Sequence, residues 1–422
     1  MPSDTARRLI RQRLSDEVGR LDKEAAETVA LVYPSPYSVG MSSLGYQRIY
    51  RAIQALPGVA CERVFLDDGG EDAGAQIESP VSYESLRPLG DFPVLAFSVA
   101  YELQLAGLVR MLDASGIAPE RALRTARDPF VLAGGPITFS NPLMLAGYVD
   151  AVVLGEAEEI VELALRAVLD APDKAAALTQ LAAHPHIFVP AVHADRLPTI
   201  AACSDALLPA KSVIITPHAE LSDMLLIETE RGCSRGCTYC VMRRTTNGGM
   251  RIVPEATVLA EIPASTRKVG LVGAAVSDHP RIEAIVRTLA ERGTQVGLSS
   301  LRPDRLREDF VAALAAAGHR TLTTALDGPS QRMRDIIERR GQEAHYLAAA
   351  RHARQHGIER LKLYLMIGLP GETDGDIDEC VRFVAELSKI VPIALGISPF
   401  CAKKNTPLCG MPYAGVDTVG RR

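Results

Sequence analysis

The sequence predicts an α/β protein built as two parallel-sheet bodies, a Rossmann-like domain followed by a partial (β/α)6 barrel of the TIM type. Apolar strand-like runs alternate with amphipathic helical stretches almost throughout. These runs fall into two series, separated by a stretch at 171–222 that is rich in Ala, Pro and His. The chain's 422 residues also leave room for two or three domains with ample cores, at roughly 100–200 residues each.

A charged leading helix is expected at 5–25, within an N-terminal segment 1–27. The first series of strands then reads TVALVY (28–33), ACERVFL (60–66), PVLAFSV (93–99), PFVLAGG (129–135) and VDAVVLG (149–155). Between them, SSLGYQRIYRAIQAL offers Ser42 and Ser43 as N-caps, and ELQLAGLVRMLDASG closes on Gly116 as a C-cap. This domain spans 28–170, and 171–222 reads as a linker that packs between domains. The second series, in a barrel at 223–400, reads DMLLIETE (223–230), KVGLVGAAV (268–276), TQVGLSS (294–300), RTLTTALDG (320–328), RLKLYLMIGLPG (360–371) and IVPIALGIS (390–398). Helices are expected near 255–261, 281–292, 304–317, 330–356 and 374–389, and 401–422 is a tail. In such a barrel the chemistry sits on loops at the C-terminal ends of the strands.

Composition narrows the function. Gly and Pro, 33 and 27 residues, stay below the level of low-complexity chains. The formal net charge of −5 provides no overall basic field for a polyanion, so no nucleic-acid partner is expected. No apolar run approaches the length of a spanning helix, and the N-terminus carries no secretory h-region, so no membrane is expected and the location is read as cytoplasmic. Cys61, Cys203, Cys380, Cys401 and Cys409 are scattered, as suits reduced thiols.

The remaining three cysteines lie together in IETERGCSRGCTYC, 227–240, at a C-x3-C-x2-C spacing. Three thiolates can ligate iron or zinc, but a zinc site wants a fourth Cys or His close by, and none is near. Three ligands to a four-iron cluster leave one iron open for a substrate or cofactor. Unrelated core cysteines fit poorly with Gly232, Ser234, Arg235 and Gly236 around them.

Cys233, Cys237 and Cys240, with Tyr239 before the last cysteine and the loop placed after the first barrel strand, resemble the signature of radical S-adenosylmethionine (SAM) enzymes. The resemblance implies a [4Fe-4S] cluster on those cysteines, SAM chelated to its open iron, and a low-potential electron donor such as flavodoxin or ferredoxin. It also assigns cofactor contacts in order along the barrel. Gly273 and Ala274, in LVGAAVSDHP, stand where the family binds the SAM amino group, although the usual Gly-Gly-Glu is absent. Ser300 and Arg302 end the third strand, where an arginine can clamp a carboxylate. Ser330 and Arg334, in LDGPSQRMR, resemble residues that orient ribose and carboxylate, and Gly368, Pro370 and Gly371, in MIGLPGET, resemble the segment against adenine.

The first series resembles the cobalamin (B12)-binding domain that precedes the radical domain in one subclass of the superfamily. Gly134 and Gly135 after the fourth strand, and Gly155 and Glu156 after the fifth, carry that resemblance. The Asp-x-His-x-x-Gly motif that supplies a cobalt-ligating histidine is missing, and the alternative is a relic sheet that only packs on the barrel. The ending 398–422 resembles that of uncharacterised members in which the chain usually continues, so either a short member or a missing C-terminal substrate element is expected. Three functions stay open: a cobalamin-dependent methyltransferase on an unactivated carbon or phosphorus of a small metabolite or peptide; a cobalamin-independent enzyme that transfers the 3-amino-3-carboxypropyl group of SAM or drives a rearrangement; and a non-catalytic sensor. The general acid or base is unknown. His279, on a strand-end loop, is a candidate, whereas His184, His186 and His193 read as surface residues.

Overall fold

β1 (Glu27–Pro36) is apolar on both faces, with Val29, Leu31 and Tyr33 entering one core and Ala30 and Val32 the other. A strand covered on both sides must read as a continuous apolar run, which is why the parallel series was visible in the sequence. The computed structural model describes residues 3–69, 77–243, 249–298 and 301–422. They form two compact units, Met1–Met224 and Leu225–Arg422.

In the first unit, β1 lies between β2 (Val59–Leu66) and β3 (Val94–Ser98), followed by β4 (Phe130–Gly134) and β5 (Ala151–Val153), all parallel in the order β2-β1-β3-β4-β5. Strand order reverses between β1 and β3, the place where open α/β sheets form a crevice beyond their C-terminal edge. The helix Leu44–Ala55 starts as expected, with the Ser43 hydroxyl accepting from the Tyr46 N–H at 3.4 Å.

Two readings change. The segment 171–222 contains a helix, Lys174–Ala182, and β6 (Ile187–Phe188), which adds an antiparallel edge to β5. Its small residues are there for packing: Ala177 and Leu181 are buried in the same core as β1. The leading helix runs only over Asp4–Ser15, because the chain then turns to pair Val18 with Ile215. Gly19 permits that turn, since a Cβ there would lie 2.2 Å from the Val213 carbonyl oxygen.

The second unit carries six parallel strands in two groups of three. β7 (Leu225–Glu228), β10 (Lys268–Val272) and β11 (Gln295–Leu298) make one, and β12 (Thr321–Asp327), β13 (Arg360–Ile367) and β14 (Ile393–Pro399) the other. A single parallel bridge between Leu301 and Thr324 links the third strand of the series to the fourth, so the order is that of a partial barrel. Two short strands that the sequence hid, β8 (Glu230–Gly232) and β9 (Met250–Ile252), pair antiparallel. The helix expected over 330–356 is broken into Gln331–Ile336 and Glu343–Gln355. Among the described residues, no helix is long and apolar enough to cross a membrane.

Candidate functional site

β8 and β9 form a ribbon just beyond β7, and the chain between them carries Cys233, Cys237 and Cys240. All three thiols are free; Cys237 is buried and the other two are partly buried. The Cys240 N–H donates to the Cys237 carbonyl at 3.2 Å and the Thr238 N–H to that of Ile337 at 3.1 Å. Arg235 reaches Asp278 at 3.4 Å and Asp304 at 3.5 Å, fastening the loop to those that follow β10 and β11. Burial pushes the Cys233 thiol up and that of Cys240 up to about 11, with the neighbouring cysteines adding to both shifts. Iron must therefore displace tightly held protons to bind here.

Tyr239 packs on Met333, Ile337, Leu369 and Phe400, and its hydroxyl donates to Asp327 at the end of β12. Asp327 is paired with Arg339 at 2.5 Å. Burial pushes up both the Asp327 carboxyl and the Tyr239 phenol, while the Arg339 guanidinium beside them opposes this. Arg339 sits in the break between the two helices, and the sulfur of Cys237 lies 3.8 Å from the Glu338 carbonyl in that same break.

Gly273 and Ala274 follow β10 as expected, and what faces them is Glu230, which sequence reasoning passed over as a strand residue. A Cβ on Gly273 would lie 2.2 Å from Glu230 Oε1, and that oxygen accepts from the Ala275 N–H at 2.6 Å. Oε2 is buried without a hydrogen-bond partner, and burial pushes the carboxyl up to about 7. Arg302 is buried and does clamp a carboxylate, but an internal one: Asp304, at 2.8 Å, with Asp278 at 3.3 Å. Ser300 lies outside the described residues.

Ser330 and Arg334 are both fully buried in structural roles. Ser330 caps its helix by accepting from the Met333 N–H and donates to Asp376 at 2.6 Å, while Arg334 donates to the carbonyls of Gly341 and Gly328. Burial alone would raise Asp376, yet Arg332, Ser330 and Thr373 hold it well below the usual carboxylate range. At the turn after β13, Gly368 and Gly371 take positive φ values, 80° and 79°, on either side of Pro370, and Glu372 accepts from the Gly368 N–H at 2.9 Å. His279 is a satisfied core residue: Nε2 donates to the Val253 carbonyl, Nδ1 accepts from the Arg281 N–H, and burial lowers its pKa. Cys401 and Cys409 are exposed.

In the first unit, the glycines after β4 and β5 serve the chain's own packing. Gly135 has φ 100° and a Cβ there would lie 2.6 Å from the Val99 oxygen; Gly155 has φ 91° and its Cβ would lie 2.5 Å from that of Ala201. Gly134, the last residue of β4, is partly buried. Glu156 is buried and accepts from the Cys203 N–H at 2.9 Å. The loop after β3 is different, exposing Tyr101 and Leu103, the latter at 80%. No histidine occurs between residues 28 and 170.

Two family models match the chain. That for the radical SAM superfamily covers residues 227–384, and that for the N-terminal region of radical SAM proteins covers 45–190. An uncharacterised protein of Methanocaldococcus jannaschii, MJ0966, is 22% identical over 391 residues, covering 90% of this chain and 78% of its own. The ribosomal protein uS12 methylthiotransferase RimO of Anaeromyxobacter sp. (strain K) is 28% identical over 46% of this chain, which spans less than half of that enzyme's length, 44%. Among solved structures, the radical SAM methyltransferase TsrM from Kitasatospora setae, with tryptophan and a SAM analogue bound, has a TM-score of 0.61 at 16% identity, over 91% of this chain and 75% of that one. The cobalamin-dependent SAM radical enzyme OxsB, with aqua-cobalamin and SAM bound, has a TM-score of 0.54 at 13% identity, over 87% and 53%.

Proposed function

Because the chain belongs to the radical SAM superfamily, we propose that it is a cobalamin-dependent radical SAM methyltransferase acting on an unactivated carbon or phosphorus centre of a small metabolite or peptide. The observation that carries the reading is one chain holding both parts: a free three-cysteine loop beyond the first strand of a six-stranded parallel barrel, and before it a sheet whose order reverses between β1 and β3. The likeness to TsrM, which extends over 91% of this chain, supports the pairing of those two parts.

When bound, the cluster and SAM supply reductive cleavage of a C–S bond, and cobalamin supplies a methyl carrier. Cys233, Cys237 and Cys240 hold the iron, on a loop whose register is fixed by Arg235 and by the Thr238 N–H. The Glu230 side chain fills the space that Gly273 leaves, and its carboxylate beside Gly273 and Ala274 would receive the amino end of SAM. The turn from Gly368 to Gly371, with no side chain on either glycine, lets the backbone approach adenine closely. Tyr101 and Leu103 give cobalamin an apolar contact at the β3 edge, and with no histidine between residues 28 and 170 this sheet holds it by its periphery. The substrate enters the barrel face opposite the helices, where Thr321 and Thr323 of β12 and Lys362 of β13 are partly exposed and Tyr364 is exposed. A flavodoxin or ferredoxin supplies the electrons.

The test is reconstitution with hydroxocobalamin, desalting, and incubation of the reduced protein with SAM. A retained cobalamin spectrum, with S-adenosylhomocysteine formed only when cobalamin is present, is expected. Methylthioadenosine with a homoserine or aminobutyrate fragment would contradict the methyltransferase and favour transfer of the aminocarboxypropyl group.

A further inference from the structure

Of the six non-glycine residues with positive φ among the described residues, three, Asp327, Glu338 and Arg340, belong to or flank one ion pair. Such a conformation is costly for a residue with a Cβ and persists only where the surroundings impose it. What these residues have in common is Arg339. Asp327 ends β12 at an irregularity in its register with β13, and Glu338 and Arg340 flank Arg339 in the helix break. The result is a guanidinium, only 12% exposed, held against a carboxylate that is 13% exposed. Arg339 is fixed at its backbone as well, its N–H donating to the Arg334 carbonyl at 2.8 Å, and its Nη2 donates to that of Ala325 at 3.3 Å.

The cysteine loop is held at three points, one on the pair and two on the helix break that carries Arg339. Tyr239, between Cys237 and Cys240, donates to Asp327. The Thr238 N–H bonds the Ile337 carbonyl at 3.1 Å, and the Cys237 sulfur approaches that of Glu338 at 3.8 Å, both in the break that carries Arg339. Fixed charges buried beside an iron–sulfur cluster shift its reduction potential, because reduction adds an electron that a nearby cation stabilises and a nearby anion destabilises.

We infer that Arg339 and Asp327 are a positioning pair that locks the cysteine loop through Tyr239 and sets the reduction potential of the cluster the loop holds. The inference rests on the cluster reading above, and neither residue touches the reacting atoms. Arg339 favours the reduced state and Asp327 the oxidised one, so the pair holds the potential between the two values that either charge would impose alone.

The experiment is an EPR-monitored redox titration of the reconstituted protein without SAM, in wild type, Arg339→Met, Asp327→Asn and Tyr239→Phe. Arg339→Met is expected to lower the midpoint potential, Asp327→Asn to raise it, and Tyr239→Phe, which keeps both charges, to leave it near wild type. Opposite shifts distinguish charge tuning from a merely structural role, which would move both variants the same way or neither. Unshifted or same-sign potentials in iron-loaded Arg339→Met and Asp327→Asn would overturn the inference. If Arg339→Met fails to take up iron, the near-isosteric Asp327→Asn decides it alone, a potential at or below wild type being the overturning result. A wild-type protein that assembles no cluster would instead overturn the cluster reading itself.

Discussion

Replacing Arg63 by Met should be among the most damaging single changes in the first unit. The guanidinium is fully buried on β2, with Nη1 and Nη2 on the two oxygens of Glu17 at 2.7 and 2.9 Å and Nε on Glu84 at 2.6 Å. The Glu17 side chain is 0% exposed and that of Glu84 16%, so the methionine variant leaves two carboxylates without their cation, with the Tyr37 hydroxyl still donating to Glu17 and the residue-63 N–H to Glu84. Breaking a buried pair from one side costs about 3–5 kcal/mol, and two orphaned partners place this case near the upper end. At a slope of about 3 kcal/mol per molar urea, the midpoint should fall by about 1.5 M. The chain has no tryptophan, and Tyr37 stacks on Tyr83 with ring centroids 5.0 Å apart, so near-ultraviolet circular dichroism follows the unfolding of this unit. Burial already holds Glu84 above its ordinary value, and removal of the cation pushes it higher. A carboxyl raised in the folded state binds protons more readily there than when unfolded, so the deficit should shrink as pH falls from 8 towards 5. The triple variant Arg63→Met, Glu17→Gln, Glu84→Gln should recover much of the loss. A deficit below about 1 kcal/mol, or one that grows on acidification, would refute the assignment of this network as a buried charge cluster.

Gly135→Ala, which meets the Val99 carbonyl at 2.6 Å from a backbone at φ 100°, should destabilise the first unit by about 1–3 kcal/mol in the same urea assay. Arg235→Ala releases the cysteine loop from Asp278 and Asp304 and should cost roughly 10-fold in iron affinity, measured by competition with a chelator. Cys401→Ser with Cys409→Ser should keep the iron content of wild type, because both thiols are exposed. His279 has a lowered pKa, so as pH drops below about 6.5 the unfolded chain takes up a proton that the native one refuses. Stability should therefore fall with acidification in wild type, and His279→Asn should flatten that fall between pH 7 and 5.5, read from urea midpoints.

The parallel strands were legible because burial on both faces writes them as unbroken apolar runs, and the cysteine loop because thiols at that spacing serve little else. β6 was hidden by its two-residue length, inside a segment whose Ala and Pro content resembles a linker. The break at 337–342 was hidden for a different reason: Glu338 and Arg340 are ordinary helix formers, and only the tertiary pull of Asp327 and the cysteine loop holds them in the left-handed region. Ser330 and Arg334 were plausible ligand groups by type; a serine before a helix also reads as a cap, and Arg334 donates to two carbonyls and to the Gln331 side chain. Glu230 lay inside an expected strand, where alternation gave no hint that Gly273 would open a space for its side chain.

The most direct test is anaerobic reconstitution with iron and sulfide, reduction with dithionite, and addition of SAM, with 5′-deoxyadenosine measured by mass spectrometry in wild type and in the Cys233→Ala, Cys237→Ala, Cys240→Ala triple variant. Wild type should bind iron and release 5′-deoxyadenosine, and the triple variant should do neither. Equal iron and equal product in both, or a fully loaded wild type that leaves SAM intact, would contradict the assignment of that loop as the centre of the chemistry.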